Sequence, residues 1–478
     1  MPAAAPLADA PVLCVALDGT LIRSNLLLES LLLLIKRNPL YLLCVPWWRR
    51  RGPAALKAKV AARVELDPAA LPYDREFVAW LRSERESGRT VWLCTAANER
   101  LAGEVAAHLG LFTGVLASAS AHLAGAAKAA TLCDRFGERG FDYCASARRD
   151  LAVWRHARAA IIVRGSRSLA RRAGLLTSVP RSFPPHRGTL RAVVQTLRPH
   201  QWVKNALLVV PLLAAHRAAD PAAVLTALRA IVAFSLCASS VYVLNDLLDL
   251  QADRAHPRKS QRPFAAGKLP LSAGMALAPA LLLAGLLMAA WMPTQFLAVV
   301  LAYYAFAMSY SFILKQLILI DALALAGLYT LRIIAGAAAN GVPLSFWLML
   351  FSVFLFLSLA FVKRFAELDA LRRSGQLHAA GRGYHVEDLA LLLSLGTAGG
   401  YLSVLILALY IHSPEIEALY RQPRWIWLLC VLLLYWISRT WMKAQRGRMH
   451  DDPVVFALKD PVSLLIGVLA AVTVSLAI

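Results

Sequence analysis

The sequence predicts a multi-domain protein in which an N-terminal α/β domain of Rossmann-like type precedes an all-α, polytopic membrane bundle of about nine transmembrane helices. Hydrophobic residues make up 59% of the 478 residues, and the formal net charge is +22. This combination is typical of apolar spans joined by basic loops, and it argues against a soluble nucleic-acid-binding protein. Before about residue 165, in contrast, short β-type runs alternate with helical stretches.

The N-terminal domain is expected over residues 1–165. Its strand candidates are Val12–Leu17, Thr90–Cys94 and Ala160–Val163, which are short, apolar and separated by helical sequence, as in a parallel α/β domain. The opening residues lack a basic stretch followed by an apolar core, so we expect no secretory signal and a cytoplasmic start. The seven cysteines have no metal-binding spacing and are expected to be reduced thiols.

Residues 26–51 predict a helical cap that lies in the membrane interface. Its leucines form an apolar face, Trp47 and Trp48 are expected at the level of the lipid headgroups, and Arg49–Arg51 are expected against anionic lipid. A transmembrane helix is not expected, because Pro39 and Pro46 break the stretch and its apolar part contains Glu29, Lys36 and Arg37. A buried cap helix is the alternative interpretation.

Residues 166–197 are basic and rich in Pro and Ser, and they predict a linker on the membrane surface. The membrane domain is expected over residues 198–478. Loops after the second, sixth and eighth apolar segments carry Lys and Arg, whereas those after the third and fifth are uncharged. This asymmetry predicts a multi-pass protein of a bacterial-type inner membrane, with the N-terminal domain on the cytoplasmic side. The apolar segments fall near 202–216, 226–247, 271–291, 294–313, 318–339, 345–362, 389–411, 424–441 and 460–478.

The stretch Asn245–Pro263, NDLLDLQADRAHPRKSQRP, follows the second apolar segment. On a helix, Asn245, Asp249 and Asp253 share one face, and Asp246 joins them at i+3 and i+7. These oxygen ligands suit Mg²⁺, and we expect Asn245, Asp249 and Asp253 to hold it. The basic residues that follow are expected to bind phosphate groups of a diphosphate: Arg254, His256, Arg258, Lys259 and Arg262. A solvated loop is the alternative.

Further charged residues are predicted at the cytoplasmic side of the other spans. Lys204 and Asn205 begin the first span, Lys315 precedes the fifth, and Lys363 and Arg364 close the sixth. Within the fifth span, Asp321 is a second acidic element, and Arg332 lies about three turns deeper, where a cation is costly unless it meets an anion. We expect Lys204, Lys315, Asp321, Arg332 and Lys363 to take part in binding substrate phosphates. A structural ion pair for Arg332 and a topology signal for Lys363 and Arg364 are the alternatives.

The NDxxDxxxD element and the DRxHPxKxxRP that follows resemble the first aspartate-rich motif of the UbiA-type intramembrane prenyltransferase superfamily. RPHQWVKN at Arg198–Asn205 and RGRMHDDPVVFALKD at Arg446–Asp460 resemble its polyprenyl-phosphate phosphoribosyltransferase branch. The resemblance implies Mg²⁺-dependent transfer of 5-phosphoribose from phosphoribosyl diphosphate to a polyprenyl phosphate, with catalytic residues Asn245, Asp246, Asp249 and Asp253. Asp321 is followed four residues later by Leu325 rather than by a second Asp, which fits this branch better than prenyl transfer to an aromatic acid.

VLCVALDGT at residues 12–20 resembles the first motif of the haloacid dehalogenase phosphatases, DxDGT. The resemblance implies a phosphatase-like pocket in which Asp18 and Thr20 belong to the first motif, Thr95 to the second, Lys128 to the third and Asp150 to the fourth. Ala16 occupies the position of the nucleophilic Asp, and Ser146 that of another expected acid. A side chain without a carboxylate cannot form the aspartyl-phosphate, so we expect a domain without phosphatase activity.

Three functions remain open at this stage. The first is phosphoribosyl transfer, with an appended phosphatase-like domain that once removed the 5-phosphate of the product. The second is transfer of a prenyl group from a polyprenyl diphosphate to an aromatic or polar acceptor. The third assigns the N-terminal domain a regulatory or docking role. The expected partners are the membrane, polyprenyl phosphate and phosphoribosyl diphosphate, without nucleic acid, and homo-oligomerisation is left open.

Overall fold

The computed structural model describes residues 11–118, 123–184, 189–256, 258–375, 383–413, 416, 420–449 and 452–478. The chain divides into two compact units. The first unit contains Met1–Leu197 and Tyr242–Ala278, and the second contains Arg198–Val241 and Pro279–Ile478. The acidic stretch therefore belongs to the same compact unit as the α/β domain.

The first unit is built on a six-stranded parallel sheet in the order β3-β2-β1-β4-β5-β6. The central strand pairs Leu13 with Val91 on one side and Val12 with Phe141 on the other. Both faces are apolar and buried, as is usual for a parallel sheet covered by helices. The strands are β1 Val12–Val15, β2 Val91–Asn98, β3 Gly114–Ser118, β4 Phe141–Ala145, β5 Ala159–Val163 and β6 Ser178–Phe183. The predicted Rossmann-like α/β fold is confirmed.

Nine helices of the first unit surround this sheet or extend from it, among the described residues. They are α1 Leu26–Arg37, α2 Tyr41–Arg50, α3 Pro53–Ala61, α4 Arg75–Glu86, α5 Glu99–Leu109, α6 Ala126–Phe136, α7 Leu151–Trp154, α8 Arg167–Gly174 and α9 Thr189–Leu197. Short 3₁₀ turns occur at Pro68–Ala70 and Arg148–Asp150.

The sheet continues past the predicted domain boundary. Residues 166–183, which the sequence assigned to a membrane-surface linker, contain α8 and the sixth strand, β6, which pairs with β5. This part of the linker prediction is wrong. β6 reads SVPRSF and is mostly exposed, because an edge strand needs only one hydrogen-bonded side and tolerates Pro and charged residues. Because β6 has a polar composition, the apolar pattern of the sequence does not predict this strand.

The cap consists of α1, α2 and α3. Asn25 caps α1 by accepting a hydrogen bond from the Leu28 amide at 3.1 Å. Trp47 is exposed, but Trp48 is buried against α1 and α3. The expectation that Trp48 lies at the headgroup level is therefore wrong, since this ring packs within the cap. Leu40, Leu42 and Leu43 remain exposed, which leaves an apolar surface on α2 and the turn before it.

Residues 242–278 complete the first unit. They contain the end of α12 (Pro221–Leu248), α13 (Leu250–Ala255), a 3₁₀ turn at Lys259–Gln261 and the start of α14 (Leu271–Ala290). Gly267 has a φ of 64°, and a Cβ there would stand 2.5 Å from Arg23 Cβ. Glycine is therefore required where this segment approaches the loop before α1.

The rest of the chain contains long apolar helices together with several short ones. In the described part of the chain, seven helices have the length and composition to cross a membrane, or eight if one bent pair forms a single span. The helices after α9 are α10 Pro199–Trp202, α11 Val210–Ala214, α12, α13, α14, α15 Thr294–Phe312, α16 Ile320–Asn340, α17 Phe346–Arg373, α18 Leu389–Ile411, α19 Trp427–Gln445, α20 Pro453–Lys459 and α21 Pro461–Ala477. The prediction of about nine spans is approximately right.

Two predicted spans differ from single straight helices. Residues 202–216 fold as α10, a 3₁₀ segment Val203–Val209 and α11 rather than as one helix. The backbone of this segment lies against Gly336 of α16, where a Cβ would stand 2.0 Å from the Leu208 carbonyl oxygen. The last predicted span, near 460–478, corresponds to α21, which has the length and composition of a span only together with α20, and the two helices are bent by 81° at their junction. The number of times the chain crosses the membrane therefore depends on how these two segments lie.

Candidate functional site

The acidic stretch of the first unit begins on the last turn of α12 and continues through α13. The Asp249 amide donates to the Asn245 carbonyl at 2.9 Å, and the Asp253 amide donates to the Asp249 carbonyl at 2.8 Å. The backbone therefore keeps a helical spacing across the break between the two helices, as the sequence predicts. Asp246 and Asp253 are buried, whereas Asp249 is half-buried.

Arg262 joins two of these carboxylates. One guanidinium nitrogen, Nη1, lies 3.1 Å from Asp246 Oδ1 and 2.7 Å from Asp253 Oδ2. Asp249 instead accepts from the Lys36 ammonium at 2.7 Å. The structure thus brings Asp246 and Asp253 together around one cation, and it places Asp249 against a residue of the cap.

The other predicted phosphate-binding residues of this stretch have different positions. Arg254 is paired with Glu29, with Nη2 at 2.6 Å from Oε1. Lys259 is exposed on the 3₁₀ turn. The His256 ring accepts through Nδ1 from the amides of Arg258 and Lys259 at 3.2 and 3.3 Å, which shapes the turn. Pro257 lies outside the described residues. Lys259 is therefore accessible to a solution anion, while Arg254 is engaged within the unit.

The oxygen donors of the acidic stretch decide whether it could hold Mg²⁺. No group of three or more His, Cys, Asp or Glu side chains gathers at metal-binding range in the described part of the chain. Mg²⁺ commonly takes one or two carboxylates and completes its shell with water and substrate phosphate oxygens. Asp246 and Asp253 provide two such carboxylates, and the Asn245 amide and Asp249 lie one turn away. The residues present therefore fit Mg²⁺ together with a diphosphate.

The second unit contains a buried carboxylate that binds two lysines. Asp452 Oδ2 accepts from Lys204 at 2.8 Å and from Lys363 at 3.2 Å, and Oδ1 accepts from the Tyr329 hydroxyl at 2.9 Å. Asp452 also caps α20 by accepting from the Val454 amide at 3.2 Å. Two predicted phosphate-binding lysines from distant parts of the sequence thus converge on one acid.

Arg332 is buried on α16 and is held by neutral oxygens. Its Nε donates to Asn205 Oδ1 at 3.0 Å, Nη2 to the Tyr303 hydroxyl at 3.1 Å and Nη1 to the Leu328 carbonyl at 2.5 Å. The guanidinium also lies 5.0 to 5.5 Å from the ring centroids of Phe234, Tyr303 and Tyr329. These contacts fix the orientation of the guanidinium within the second unit.

Asp321 forms a separate buried cluster in the second unit. Its Oδ1 accepts from the Tyr384 hydroxyl at 2.5 Å, and its Oδ2 lies 3.3 Å from Arg364 Nε. Arg364 also donates to Glu367 at 2.5 Å. Lys315 is half-buried on the 3₁₀ turn Leu314–Gln316. Asp321 and Arg364 therefore neutralise each other between helices α16 and α17.

The phosphatase-like residues meet at the carboxyl edge of the parallel sheet. Asp18 Oδ1 accepts from the Leu26 amide at 2.7 Å, and the Thr20 hydroxyl donates to Ser146 Oγ at 3.2 Å. Thr95 lies on β2 and accepts from the Ala97 amide at 3.0 Å. Ala16, which follows β1, is buried. The structure thus places Asp18, Thr20 and Ser146 at one edge of the sheet.

Lys128 links two of these motifs. Its ammonium donates to the Cys94 carbonyl at 3.2 Å and to the Tyr143 hydroxyl at 3.0 Å, and Tyr143 donates in turn to Asp150 at 3.3 Å. Burial lowers the pKa of Lys128, partly offset by the nearby Asp150. Without carboxylates at positions 16 and 146, the residues present do not fit the metal site of an active phosphatase.

A cavity of about 160 Å³ opens beside Asp18. It is lined by the start of α1 and by two basic residues that the sequence did not indicate, Lys57 of the cap and Arg149. Burial raises the pKa of Asp18 and lowers that of Lys57. Lys57 also donates to the Ala96 carbonyl. The cavity therefore joins the cap to the edge of the sheet.

Several residues of these clusters were missed by the sequence reasoning. Asp452 lies inside the Arg446–Asp460 stretch, but an Asp before a Pro is indistinguishable from an ordinary helix cap. Tyr303, Tyr329 and Tyr384 resemble any aromatic residues of apolar spans. His450 and Asp451 of the same stretch lie outside the described residues. Their hydrogen bonds to charged partners far apart in the sequence distinguish these positions in the structure.

These features define a polytopic membrane protein with charged residues buried among its apolar helices, joined to a Rossmann-like α/β sheet that is consistent with a haloacid dehalogenase-like domain. The chain belongs to the UbiA prenyltransferase family, whose sequence model matches residues 206–460.

Similar proteins include y4nM, an uncharacterized protein of Sinorhizobium fredii, which is 36% identical over 467 residues, or 96% of this chain and 90% of that protein. The decaprenyl-phosphate phosphoribosyltransferase of Mycolicibacterium smegmatis is 39% identical over 181 residues, or 37% of this chain and 56% of that protein. The solved structure of a UbiA homolog from Archaeoglobus fulgidus, bound to DMAPP and Mg²⁺, is 16% identical with a TM-score of 0.46 and covers 59% of this chain and 98% of its own.

Proposed function

We propose that this chain is a membrane phosphoribosyltransferase that transfers 5-phosphoribose from phosphoribosyl diphosphate to a polyprenyl phosphate. The observation that carries the proposal is the 39% identity to a decaprenyl-phosphate phosphoribosyltransferase over 181 residues. The products are polyprenyl-phosphoryl 5-phosphoribose and diphosphate. The positive-inside pattern supports a bacterial inner membrane with the N-terminal domain and the acidic stretch on the cytoplasmic side.

The chemistry requires little proton transfer. A phosphate oxygen of the lipid forms a bond to the anomeric carbon of the ribose, and the bond from that carbon to the diphosphate oxygen breaks, which inverts the configuration. The lipid phosphate is already anionic at neutral pH, so no general base is needed. Catalysis rests on orientation of the substrates and on stabilisation of the departing charge.

The acidic stretch is assigned to the diphosphate end of the donor. Asp246, Asp253, Asp249 and Asn245 would hold Mg²⁺, and Mg²⁺ when bound supplies positive charge to the leaving diphosphate. Arg262 bridges Asp246 and Asp253, and beside those carboxylates it would be a further cation for the diphosphate. Lys259 is exposed and supplies a further positive charge.

The buried cations of the second unit are assigned to the other phosphate groups. Arg332 is buried and oriented by Asn205 and Tyr303, and it is assigned to one of these phosphate groups. Lys204 and Lys363 share one carboxylate, Asp452, so the group of three carries a net positive charge that suits a phosphate. Asp321 is proposed to position Arg364, its ion-pair partner, rather than to meet substrate directly.

The phosphatase-like domain is proposed to be inactive as a phosphatase. Ala16 removes the nucleophile, and Ser146 removes an acid that would support a metal. Asp18, Thr20, Thr95, Lys128 and Asp150 would still form a pocket, but they provide no group that forms an aspartyl-phosphate.

The test is transfer of label from phosphoribosyl diphosphate into extractable lipid, with the full chain in nanodiscs and decaprenyl phosphate as acceptor. We expect labelled lipid with Mg²⁺, none with a chelator and none with Asp253→Asn, while Asp134→Asn, an exposed carboxylate of the first unit, stays active. A parallel reaction contains labelled prenyl diphosphate and a hydroxylated aromatic acid. Label in that product, and none in the phosphoribosyl product, would replace the proposal by prenyl transfer.

A further inference from the structure

The first helix of the cap, α1, contacts the acidic stretch through two charged side chains. Glu29 binds Arg254 through both carboxylate oxygens, with Nη2 at 2.6 Å from Oε1 and Nη1 at 3.1 Å from Oε2. Lys36 lies two helical turns further along the same face and donates to Asp249 at 2.7 Å. One helix of the phosphatase-like domain thus meets both a predicted metal ligand and a predicted phosphate-binding residue.

The Glu29–Arg254 pair is buried and fixed on both sides. The side chains are 2% and 8% exposed, respectively. Glu29 also accepts from the Ser24 hydroxyl at 2.5 Å, and Arg254 donates to the carbonyls of Ala265 at 3.0 Å and Ala70 at 3.2 Å. A guanidinium group held by two carboxylate oxygens and two carbonyl oxygens is fixed in one orientation. It therefore sets the position of α13, which carries Asp253.

The Lys36–Asp249 pair differs in its exposure. The two side chains are 41% and 27% exposed, so the ammonium can leave Asp249 at little cost. Lys36 places a positive charge on Asp249, at the carboxylate where a divalent cation would place its own.

We propose that α1 is a positioning element of the transferase: Glu29 holds the acidic stretch in its metal-binding geometry through Arg254, and Lys36 is a displaceable counter-ion that competes with the metal for Asp249. This inference rests on the proposed function, because it presumes that the acidic stretch binds a divalent cation. It explains what a phosphatase-like domain without a nucleophile contributes to the chain.

The two residues have opposite expected effects on metal affinity. Glu29→Gln frees the Arg254 charge beside the acidic residues and loosens α13, so Mn²⁺ should bind about 10- to 100-fold more weakly, as for other residues that orient metal ligands. Lys36→Met removes a competing cation, so Mn²⁺ should bind about 1.5- to 5-fold more tightly, as expected for an exposed pair.

The experiment measures Mn²⁺ binding to the full chain in nanodiscs by electron paramagnetic resonance, without substrate. Glu86→Gln and Lys59→Met, at exposed residues of the same domain, are the matched controls and should bind Mn²⁺ as the unaltered chain does. In an Arg254→Met background, Glu29→Gln should change the affinity much less than it does alone, because Glu29 acts through Arg254.

The outcomes separate this inference from the proposed function. Unchanged Mn²⁺ affinity in both Glu29→Gln and Lys36→Met, or no binding to the unaltered chain, overturns the inference whichever substrate is used. Opposite shifts support it even if transfer from phosphoribosyl diphosphate fails, which would overturn only the substrate assignment. If Glu29→Gln does not fold, Lys36→Met decides alone, since an exposed lysine can be replaced without loss of the fold.

Discussion

Replacing Asp452 by Asn tests whether the lysine cluster of the second unit is a structural ion pair or a binding site. Asp452 compensates Lys204 and Lys363, and its side chain is 10% exposed. Asn keeps the size of the side chain and the ability to cap α20, so the substitution removes little except the charge. Two lysines of the same sign are then left close together.

The expected loss of stability follows from burial. Removing one partner of a buried ion pair typically costs about 3–5 kcal/mol. Lys363 remains 30% exposed and can turn toward water, whereas Lys204 is only 10% exposed, so we expect about 3 kcal/mol, at the lower end of that range. For a unit of this size this is a decrease in Tm on the order of 10 °C.

Thermal unfolding of the full chain in nanodiscs, followed by tryptophan fluorescence, measures this loss. Lys363→Met added to Asp452→Asn should recover part of the Tm, because it removes one of the two uncompensated cations. Asp220→Asn, which affects an exposed pair with Arg217, is the control and should leave the Tm unchanged. If the lysines take a phosphate group, inorganic diphosphate should raise the Tm of Asp452→Asn more than that of the unaltered chain. A Tm of Asp452→Asn equal to that of the unaltered chain would refute the reasoning.

Three further substitutions test the site. Asp253→Ala should abolish lipid labelling while the Tm stays within a few degrees, and wild-type turnover in this variant would contradict the metal assignment. Arg332→Gln should raise the apparent KM for one phosphate-bearing substrate by about one to two decades with little change in Tm; a collapsed Tm with an unchanged KM would make Arg332 a structural residue. The unaltered chain should release no inorganic phosphate from phosphoribosyl lipid, and we expect release only when Ala16→Asp is combined with Ser146→Asp; release by the unaltered chain would be inconsistent with an inactive domain.

The parts of the fold that follow from local sequence were predictable. The buried strands β1, β2 and β5 are continuous apolar runs, and the long helices are apolar over the thickness of a bilayer. The spacing of Asn245, Asp249 and Asp253 predicts the helical arrangement that their backbone hydrogen bonds show. β6 is not predictable in this way, because an edge strand needs no apolar run. Composition also does not reveal the 3₁₀ segment that divides residues 202–216, so the sequence predicts one helix there.

The pairing of charges could not be predicted in the same way. Arg254 and Glu29 are 225 residues apart in the sequence, and Lys204 and Asp452 are 248 apart. A basic residue near an acidic motif is equally consistent with binding a phosphate or with binding a carboxylate from a distant segment. The sequence favoured the first for Arg254, and the structure pairs it with Glu29. For Lys204 the partner, Asp452, was hidden by its resemblance to a helix cap.

The two ends of α1 connect the phosphatase-like pocket to the acidic stretch. The helix begins where the Leu26 amide donates to Asp18 at 2.7 Å, and the residues at its start line the cavity of the pocket. Its later turns carry Glu29 and Lys36. If α1 shifts as a rigid body, a change in how Asp18 holds its first turn displaces Glu29 and with it the contact to Arg254. Holding α1 in place is therefore a contribution to the acidic stretch that needs no nucleophile in the pocket.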